Sequence, residues 1–160
     1  MNLEDRKYCT ILNTNISVTN MEDTIAMLTE NLEQLRGNYI CVSNVHTVVM
    51  SFRDADYRKV QNSAAMALPD GKPLSMVSRQ RGYREAERVP GPDLMPAIFR
   101  LSEGKGYRHY FYGSTPEVLD SLKKKIEERY PGLIIAGMYS PPFRSLTVEE
   151  DEEIIARINE

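Results

Sequence analysis

The chain has 160 residues, of which 41% are apolar, and its 20 basic and 23 acidic side chains give a net charge of −3. This length and apolar content are enough for one substantial hydrophobic core, so we expect a single α/β domain over residues 1–160. The slightly acidic balance argues against a nucleic-acid partner, because such a surface needs an excess of Lys and Arg.

Targeting, membrane-spanning and metal-binding patterns are all missing from the sequence. Residues 1–7 contain no apolar stretch of the kind that a signal peptide carries, and no run approaches the roughly 18 apolar residues of a spanning helix. We therefore expect a cytoplasmic protein. Its two cysteines, Cys9 and Cys41, lie far apart in apolar segments, and there are only two histidines, so we expect neither a metal nor a cofactor.

The N-terminal part of the chain predicts a hairpin followed by a helix. Two short apolar segments, 8–12 and 16–18, flank a turn-prone triplet, which indicates a small β-hairpin at the edge of the fold. A capping-box pattern begins at Thr19, and apolar residues then recur at three- and four-residue steps until Gly37. This spacing predicts an amphipathic helix that ends at the glycine.

Strand and helix patterns alternate through the rest of the chain. Apolar runs predict strands at 39–42, 65–68, 107–112 and 133–138, with helices at about 45–62, after Pro73, at 93–101, after residue 115 and after Thr147. The last of these segments has the clearest pattern of a buried strand, and the aromatic residues of 107–112 are expected to pack in the core. The alternation predicts a Rossmann-like, mostly parallel sheet with helices on both faces.

Polar residues follow three of the predicted strands at the point where each one ends. Ligands of open parallel sheets bind outside the carboxyl ends of the strands, so these residues are candidates for a binding site. They are Ser43, Asn44 and His46 after the first strand, Asp70 and Gly71 after the second, and Gly113, Ser114 and Thr115 after the third, with Arg88 and Asp93 from the intervening loop.

Asp70 is the candidate proton acceptor of this set. It directly follows a predicted strand, and the neighbouring Pro69 and Gly71 restrict the direction of its side chain. A partly buried carboxylate at this place could accept a proton from a substrate hydroxyl. An aspartate that caps a helix or begins an Asp-Gly turn explains the same pattern, and this alternative stays open.

Residues 113–115 and Arg88 are the candidates for contact with phosphate. Backbone N–H groups at the start of a helix stabilise an anion, and an arginine on a loop stiffened by proline can grip phosphate with two nitrogens. Ordinary helix capping by Ser114 or Thr115 and a solvated surface arginine are the alternatives. Asn44 and His46 offer polar atoms of the kind that sugar hydroxyls require.

Several motifs occur in a characteristic order. They are Ser43-Asn44-Val45-His46, Leu68-Pro69-Asp70-Gly71, Arg88-Val89-Pro90-Gly91-Pro92-Asp93-Leu94, Tyr112-Gly113-Ser114 and Gly137-Met138-Tyr139-Ser140-Pro141-Pro142-Phe143. This succession resembles the WecG/TagA/CpsF family of bacterial glycosyltransferases. The similarity extends from about Ile11 to the end of the chain.

The resemblance implies a specific enzyme activity. It implies transfer of N-acetylmannosamine, its uronic acid or a related hexose from a UDP-sugar to a polyprenyl-diphosphate-linked sugar, in the synthesis of teichoic acid, common antigen or exopolysaccharide. It also implies inversion at the anomeric carbon without an obligatory metal. Asp70 matches the general base of the family, Ser43 and Asn44 match a polar pair that lines its pocket, and Arg88 matches an arginine that meets phosphate.

Members of that family continue beyond the end of this sequence into another strand and a basic C-terminal segment. We therefore expect a C-terminally truncated glycosyltransferase that is weakly active or inactive alone, whose missing segment supplies peripheral contact with the inner face of the cell membrane. A truncated sheet edge would favour homo-oligomers. The alternative from a different class is a non-catalytic module that binds a nucleotide or phosphosugar at residues 113–115.

Overall fold

The computed structural model describes residues 6–159. Residues 1–5 lie outside the described residues, and part of the argument against a signal peptide depends on them. The fold is α/β with an N-terminal hairpin, as predicted. Its elements are β1 (Tyr8–Ile11), β2 (Thr14–Ser17), α1 (Met21–Glu30), β3 (Ile40–Ser43), α2 (Val45–Arg53), α3 (Ala55–Ser63), β4 (Met66–Pro69), α4 (Lys72–Gln80), α5 (Gly91–Ser102), β5 (Arg108–Tyr112), α6 (Pro116–Arg129), β6 (Ile134–Tyr139) and α7 (Val148–Asn159).

The chain divides into two compact units, Met1–Ala97 and Ile98–Glu160. The described strands pair two at a time: β1 with β2 antiparallel, β3 with β4 parallel, and β5 with β6 parallel. Within residues 6–159, no helix combines the length and apolar character that crossing a bilayer requires.

The parallel pair β3 and β4 organises the first unit. Ile40 lies opposite Met66 and Ser43 lies opposite Pro69, so the two strands end side by side. All four residues of β4 are buried, and Leu68 is 0% exposed. This burial matches the continuous apolar run from which the strand was predicted.

The N-terminal hairpin belongs to the core, and the prediction that it lies at the edge of the fold was wrong. Cys9, Ile11 and Ile16 are buried in one cluster with residues of α2, β4 and α4. The hairpin turn is also tighter than predicted, because Leu12 and Asn13 both adopt positive φ angles of 46° and 66°. Two such residues form the kind of turn whose twist fits a hairpin, so β2 begins directly after them.

Two predicted helices have different boundaries in the structure. Asn20, not Thr19, caps α1, since its side-chain oxygen accepts a hydrogen bond of 2.9 Å from the Asp23 N–H, and α1 ends at Glu30 instead of Gly37. The helix predicted over 45–62 is two helices. They separate at Asp54, whose extended backbone breaks the first helix while its carboxylate accepts the Asp56 and Tyr57 N–H groups and begins the second.

The parallel pair β5 and β6 organises the second unit, with register from Arg108 opposite Ile134 to Tyr112 opposite Tyr139. A core of Phe99, Ile126 and Tyr130 packs against it. The prediction that β6 is a buried strand was wrong, because none of its six residues is fully buried and Ile134 is 44% exposed. The prediction that the aromatic residues of β5 pack in the core was wrong for Tyr112, which is 50% exposed.

Gly137 is a position on β6 where a side chain would collide with the neighbouring strand. It lies opposite Tyr110, next to a shift in register between His109 and Tyr110. A Cβ atom added to Gly137 would overlap the Tyr110 ring and lie 2.9 Å from its Cδ2 atom. The position of the Tyr110 ring over β6 therefore depends on the absence of a side chain at residue 137.

His109 is enclosed between an aromatic ring and a buried hydroxyl. Its ring lies edge-on to Phe99, with 5.3 Å between the ring centroids, and its Nε2 atom is 2.8 Å from the Ser102 Oγ. Burial lowers the pKa of His109 below its ordinary value, because the apolar surroundings disfavour the charged imidazolium. Folding therefore favours the neutral ring.

We expect His109 to make the second unit less stable in acid. The unfolded chain binds the proton more readily than the folded one, so the free energy of unfolding should fall as the pH drops below about 6.5, and level off below the folded pKa. Urea unfolding at several pH values should show this loss, and His109→Gln should reduce it. His46→Gln, at an exposed position, is the matched control. Identical pH profiles for wild type and His109→Gln would contradict the prediction.

Candidate functional site

The carboxyl ends of β3 and β4 bring two of the predicted polar segments together. Because Ser43 and Pro69 are opposite each other, the Asp70 N–H reaches the Ser43 carbonyl and donates a hydrogen bond of 2.8 Å. The chain then turns from β4 directly into α4. The backbone of Asp70 is thus fixed at the edge of the sheet where ligands of parallel sheets bind.

The Asp70 carboxylate is half-buried and is not used to hold the fold together. Within residues 6–159 it forms no hydrogen bond and no ion pair. Helix α4 has Gly71 as its N-cap and therefore no side-chain capping bond, so the alternative in which Asp70 caps the helix does not describe this structure. The carboxylate is available to a substrate.

Asn44 caps α2 and lies against Gly71. Its Oδ1 atom accepts the Thr47 N–H at 3.2 Å, while the Thr47 hydroxyl oxygen accepts the Asn44 N–H at 3.0 Å. A Cβ atom placed on Gly71 would be 3.6 Å from the Asn44 Cβ. Among the described residues the Asn44 side-chain NH2 group has no acceptor, so it is free to bind a ligand next to Asp70.

Ser43 lies beneath the site and does not line its surface. It is 0% exposed, and its hydroxyl donates a hydrogen bond of 2.7 Å to the Gln61 Oε1. Gln61 in turn reaches the Tyr57 hydroxyl at 3.4 Å. Ser43 therefore ties the end of β3 to α3. Gln61 was missed by the sequence analysis, because no spacing rule connects residues 43 and 61.

Arg88 binds the backbone of Asp70 rather than its carboxylate. The Arg88 Nε–H donates a hydrogen bond of 2.7 Å to the Asp70 carbonyl oxygen. The next residue, the fully buried Val89, donates from its N–H to the Pro69 carbonyl at 2.9 Å. These two contacts fix the loop onto the end of β4. The two terminal guanidinium nitrogens of Arg88 have no partner within residues 6–159, so they can face an anion.

His46 and Asp93 are both exposed, and no described hydrogen bond joins either side chain to Asp70, Asn44 or Arg88. Asp93 lies in the first turn of α5. In the part of the chain that the structure describes, no three His, Cys, Asp or Glu side chains are grouped so that they could hold a metal ion.

Residues 113–115 form a turn in the second unit, between β5 and α6. Gly113 has a φ of 121° and Ser114 a φ of 62°, both in the left-handed region. The Gly113 N–H donates to the Tyr139 carbonyl at 2.9 Å, and the Ser140 hydroxyl donates to the Ser114 carbonyl at 2.6 Å. The turn is therefore fastened to the end of β6.

The helix that follows this turn is capped from within the chain. Thr115 is its N-cap, with its hydroxyl oxygen 3.4 Å from the Val118 nitrogen, as the capping alternative expected. The pKa of Glu117 is lowered because its carboxylate accepts from its own N–H and from the Thr115 hydroxyl. The N–H groups of Ser114 and Thr115 find no acceptor among the described residues, and they are the donors that remain for a ligand.

The comparison with known proteins agrees with the order of motifs. The model of the glycosyl transferase WecG/TagA/CpsF family matches residues 9–160. The chain belongs to this family. This match confirms the family that the motifs predicted, and it extends from β1 to α7.

Relatives of this WecG/TagA/CpsF family chain include proteins named N-acetylglucosaminyldiphosphoundecaprenol N-acetyl-beta-D-mannosaminyltransferase. The protein of Bacillus subtilis is 30% identical over 131 residues, which cover 80% of this chain and 49% of the relative. The protein of Bacillus spizizenii is 29% identical over 130 residues, covering 81% and 49%. The protein of Staphylococcus aureus is 23% identical over 141 residues, covering 84% and 54%. The chain spans about half the length of these curated relatives.

Proposed function

We propose that this chain is the part of a glycosyltransferase that activates the acceptor, and that the whole protein moves N-acetylmannosamine or a related sugar from a UDP-sugar to a polyprenyl-diphosphate-linked sugar. The family and the names of the relatives support the reaction class and the acceptor. A lipid-linked acceptor would bring the protein to the inner face of the membrane. The single observation that carries the proposal is the free, half-buried carboxylate of Asp70 at the end of β4.

Asp70 acts as the general base in the proposed reaction. Its carboxylate accepts the proton of the acceptor hydroxyl while that oxygen attacks the anomeric carbon of the donor sugar. The bond from the anomeric carbon to the UDP oxygen breaks, UDP leaves with the bonding electrons, and the configuration inverts. The Asn44 amide, which has a free NH2 group, binds a sugar oxygen next to the base.

In this proposal, two sets of hydrogen-bond donors contact the phosphate groups of the substrates. The terminal nitrogens of Arg88 contact a phosphate of a substrate at the site in the first unit. In the second unit, the unused N–H groups of Ser114 and Thr115 support contact with the diphosphate of the donor.

The test is transfer of labelled sugar from UDP-N-acetylmannosamine to a soluble analogue of the lipid-linked acceptor. This chain should be compared with a protein extended to the length of the relatives. We expect transfer by the extended protein. If the extended protein folds and transfers no sugar from a panel of UDP-sugars, the proposal is wrong and a non-catalytic binding module becomes the better description.

Arg88→Lys should lower transfer by the extended protein by roughly 10-fold or more, because a hydrogen bond to a charged group contributes about 1.5–3 kcal/mol. Arg88 uses Nε for the Asp70 carbonyl and keeps two nitrogens for phosphate, whereas lysine has one nitrogen for both tasks. Steady-state kinetics would measure the loss. Arg84→Lys, an exposed arginine on the same loop, is the matched control, and equal losses in both variants would contradict the assigned role.

A further inference from the structure

A buried polar contact beneath the candidate site joins α3 to the end of β3. The Ser43 hydroxyl donates to the Gln61 Oε1 at 2.7 Å, and the two residues are 0% and 5% exposed. Because water hardly reaches either group, each one depends on the other for its hydrogen bond. The Gln61 NH2 group also contacts the Tyr57 hydroxyl at 3.4 Å. The direction of the Ser43 side chain therefore depends on Gln61.

Helix α3 is a firm support for this contact. The Tyr39 hydroxyl, just before β3, donates to the Val60 carbonyl at 2.7 Å, so α3 is joined to the strand near both of its ends. The Arg58 guanidinium donates to the Ser51 carbonyl at 3.0 Å and holds α3 against α2. A helix that is fixed to two neighbours gives Gln61 little freedom to move.

Ser43 connects this support to Asp70 through its backbone. The Ser43 carbonyl accepts the Asp70 N–H at 2.8 Å, and the same N–H is 3.0 Å from the Leu68 carbonyl. On its other side, the Asp70 carbonyl accepts the hydrogen bond from Arg88. Both backbone groups of Asp70 are thus held while its carboxylate is free. The direction of this carboxylate depends on the position of the Ser43 peptide.

We propose that Gln61 is a positioning residue for Asp70: by holding the Ser43 side chain, it fixes the peptide that orients the general base. The inference rests on the proposed function, in which Asp70 takes the proton of the acceptor hydroxyl. Gln61 acts through Ser43 and does not contact the substrate. A displacement of about 1 Å in a catalytic group can lower a rate about 10²-fold, so a buried amide two contacts away can control turnover.

Gln61→Met tests this role, because methionine has a similar length but offers the buried Ser43 hydroxyl only a weak acceptor. In a protein extended to the length of the relatives, the variant should lower kcat roughly 10-fold and leave the KM for the UDP-sugar unchanged, since the loss concerns the chemical step. Gln61→Glu keeps an acceptor oxygen for Ser43, and burial favours its uncharged form, so it should restore most of kcat.

Asn62→Leu is the matched control, since it removes a neighbouring amide from the same helix. The Asn62 side chain joins α3 to the hairpin, accepting the Asn15 N–H at 2.9 Å and donating to the Asn13 carbonyl at 3.0 Å. This variant should lose stability and keep kcat. An equal loss of kcat in Asn62→Leu and Gln61→Met would mean that Gln61 is merely structural and would overturn the inference.

A second background shows whether Gln61 acts through Asp70. In Asp70→Asn the base is absent, so the addition of Gln61→Met should change the residual rate less than about 2-fold, whereas independent effects would multiply. The same loss in both backgrounds, or an unchanged kcat in Gln61→Met alone, would contradict the positioning role.

Hydrogen exchange in the 160-residue chain gives a measurement that does not require turnover. In Gln61→Met the Asp70 amide should exchange roughly 5-fold faster relative to the Ala67 amide, which donates to the Ser17 hydroxyl oxygen at 3.0 Å. A general loss of stability would accelerate both amides together. An unchanged ratio would overturn the inference whether or not sugar is transferred. Faster exchange at Asp70, with no sugar transfer by the extended protein, would support the positioning of Asp70 and contradict the proposed function.

Discussion

Replacing Asp70 by asparagine should reduce sugar transfer by the extended protein about 10²- to 10⁴-fold, the usual contribution of a general base. The amide has nearly the same size as the carboxylate but cannot accept the proton of the acceptor hydroxyl. Since the carboxylate forms no described bond within the fold, the variant should fold normally. Single-turnover kinetics with saturating acceptor would measure the loss in the chemical step.

Two controls make the Asp70 result specific. Asp56→Asn removes an exposed carboxylate from α3, outside the candidate site, and should change the rate much less. Binding of the donor, measured by calorimetry, should be nearly the same in Asp70→Asn and wild type, because the loss concerns the transition state. Retention of most of the turnover in Asp70→Asn would show that another group takes the proton.

Leu68→Ala should lower the free energy of unfolding of the first unit by about 2–5 kcal/mol, the range for a fully buried leucine. Leu68 is 0% exposed in the middle of β4, and the three other residues of the strand are also buried. Rigid surroundings cannot fill the cavity that the missing side chain leaves. Urea unfolding followed by circular dichroism would measure the change.

Val42→Ala is the matched control for Leu68→Ala, since Val42 lies opposite Leu68 in the same parallel pair. Val42 is 42% exposed, so its truncation removes less buried surface and should cost about 1 kcal/mol or less. Equal losses in the two variants would mean that burial does not determine the stability of this pair of strands.

The sequence was sufficient to predict the features that local rules control. The continuous apolar run of β4 and the Pro-Asp-Gly turn after it predicted the strand and the place of Asp70, because proline and glycine limit the backbone there. The alternation of strands and helices predicted the α/β class. The meeting of residues 43–44 with 70–71 followed from the rule that parallel strands end at the same edge.

Features that depend on tertiary contacts could not be predicted. The hydroxyl of Ser43 follows a strand, as a binding residue would, yet it donates its hydrogen bond to Gln61, and only the tertiary position of α3 decides this partner. The break at Asp54 carries no proline or glycine, and its cause is a capping bond that competes with helix continuation. Burial of the hairpin likewise depends on what covers it.

The contact between Gly137 and Tyr110 constrains how related sequences can vary. Because a Cβ atom at position 137 would overlap the Tyr110 ring, a larger residue there requires this ring to move or a smaller side chain at position 110. The two positions should therefore change together, with a small residue at 110 wherever 137 is larger than glycine. Residues 110 and 137, which are 27 positions apart in the sequence, therefore fill one shared space between β5 and β6.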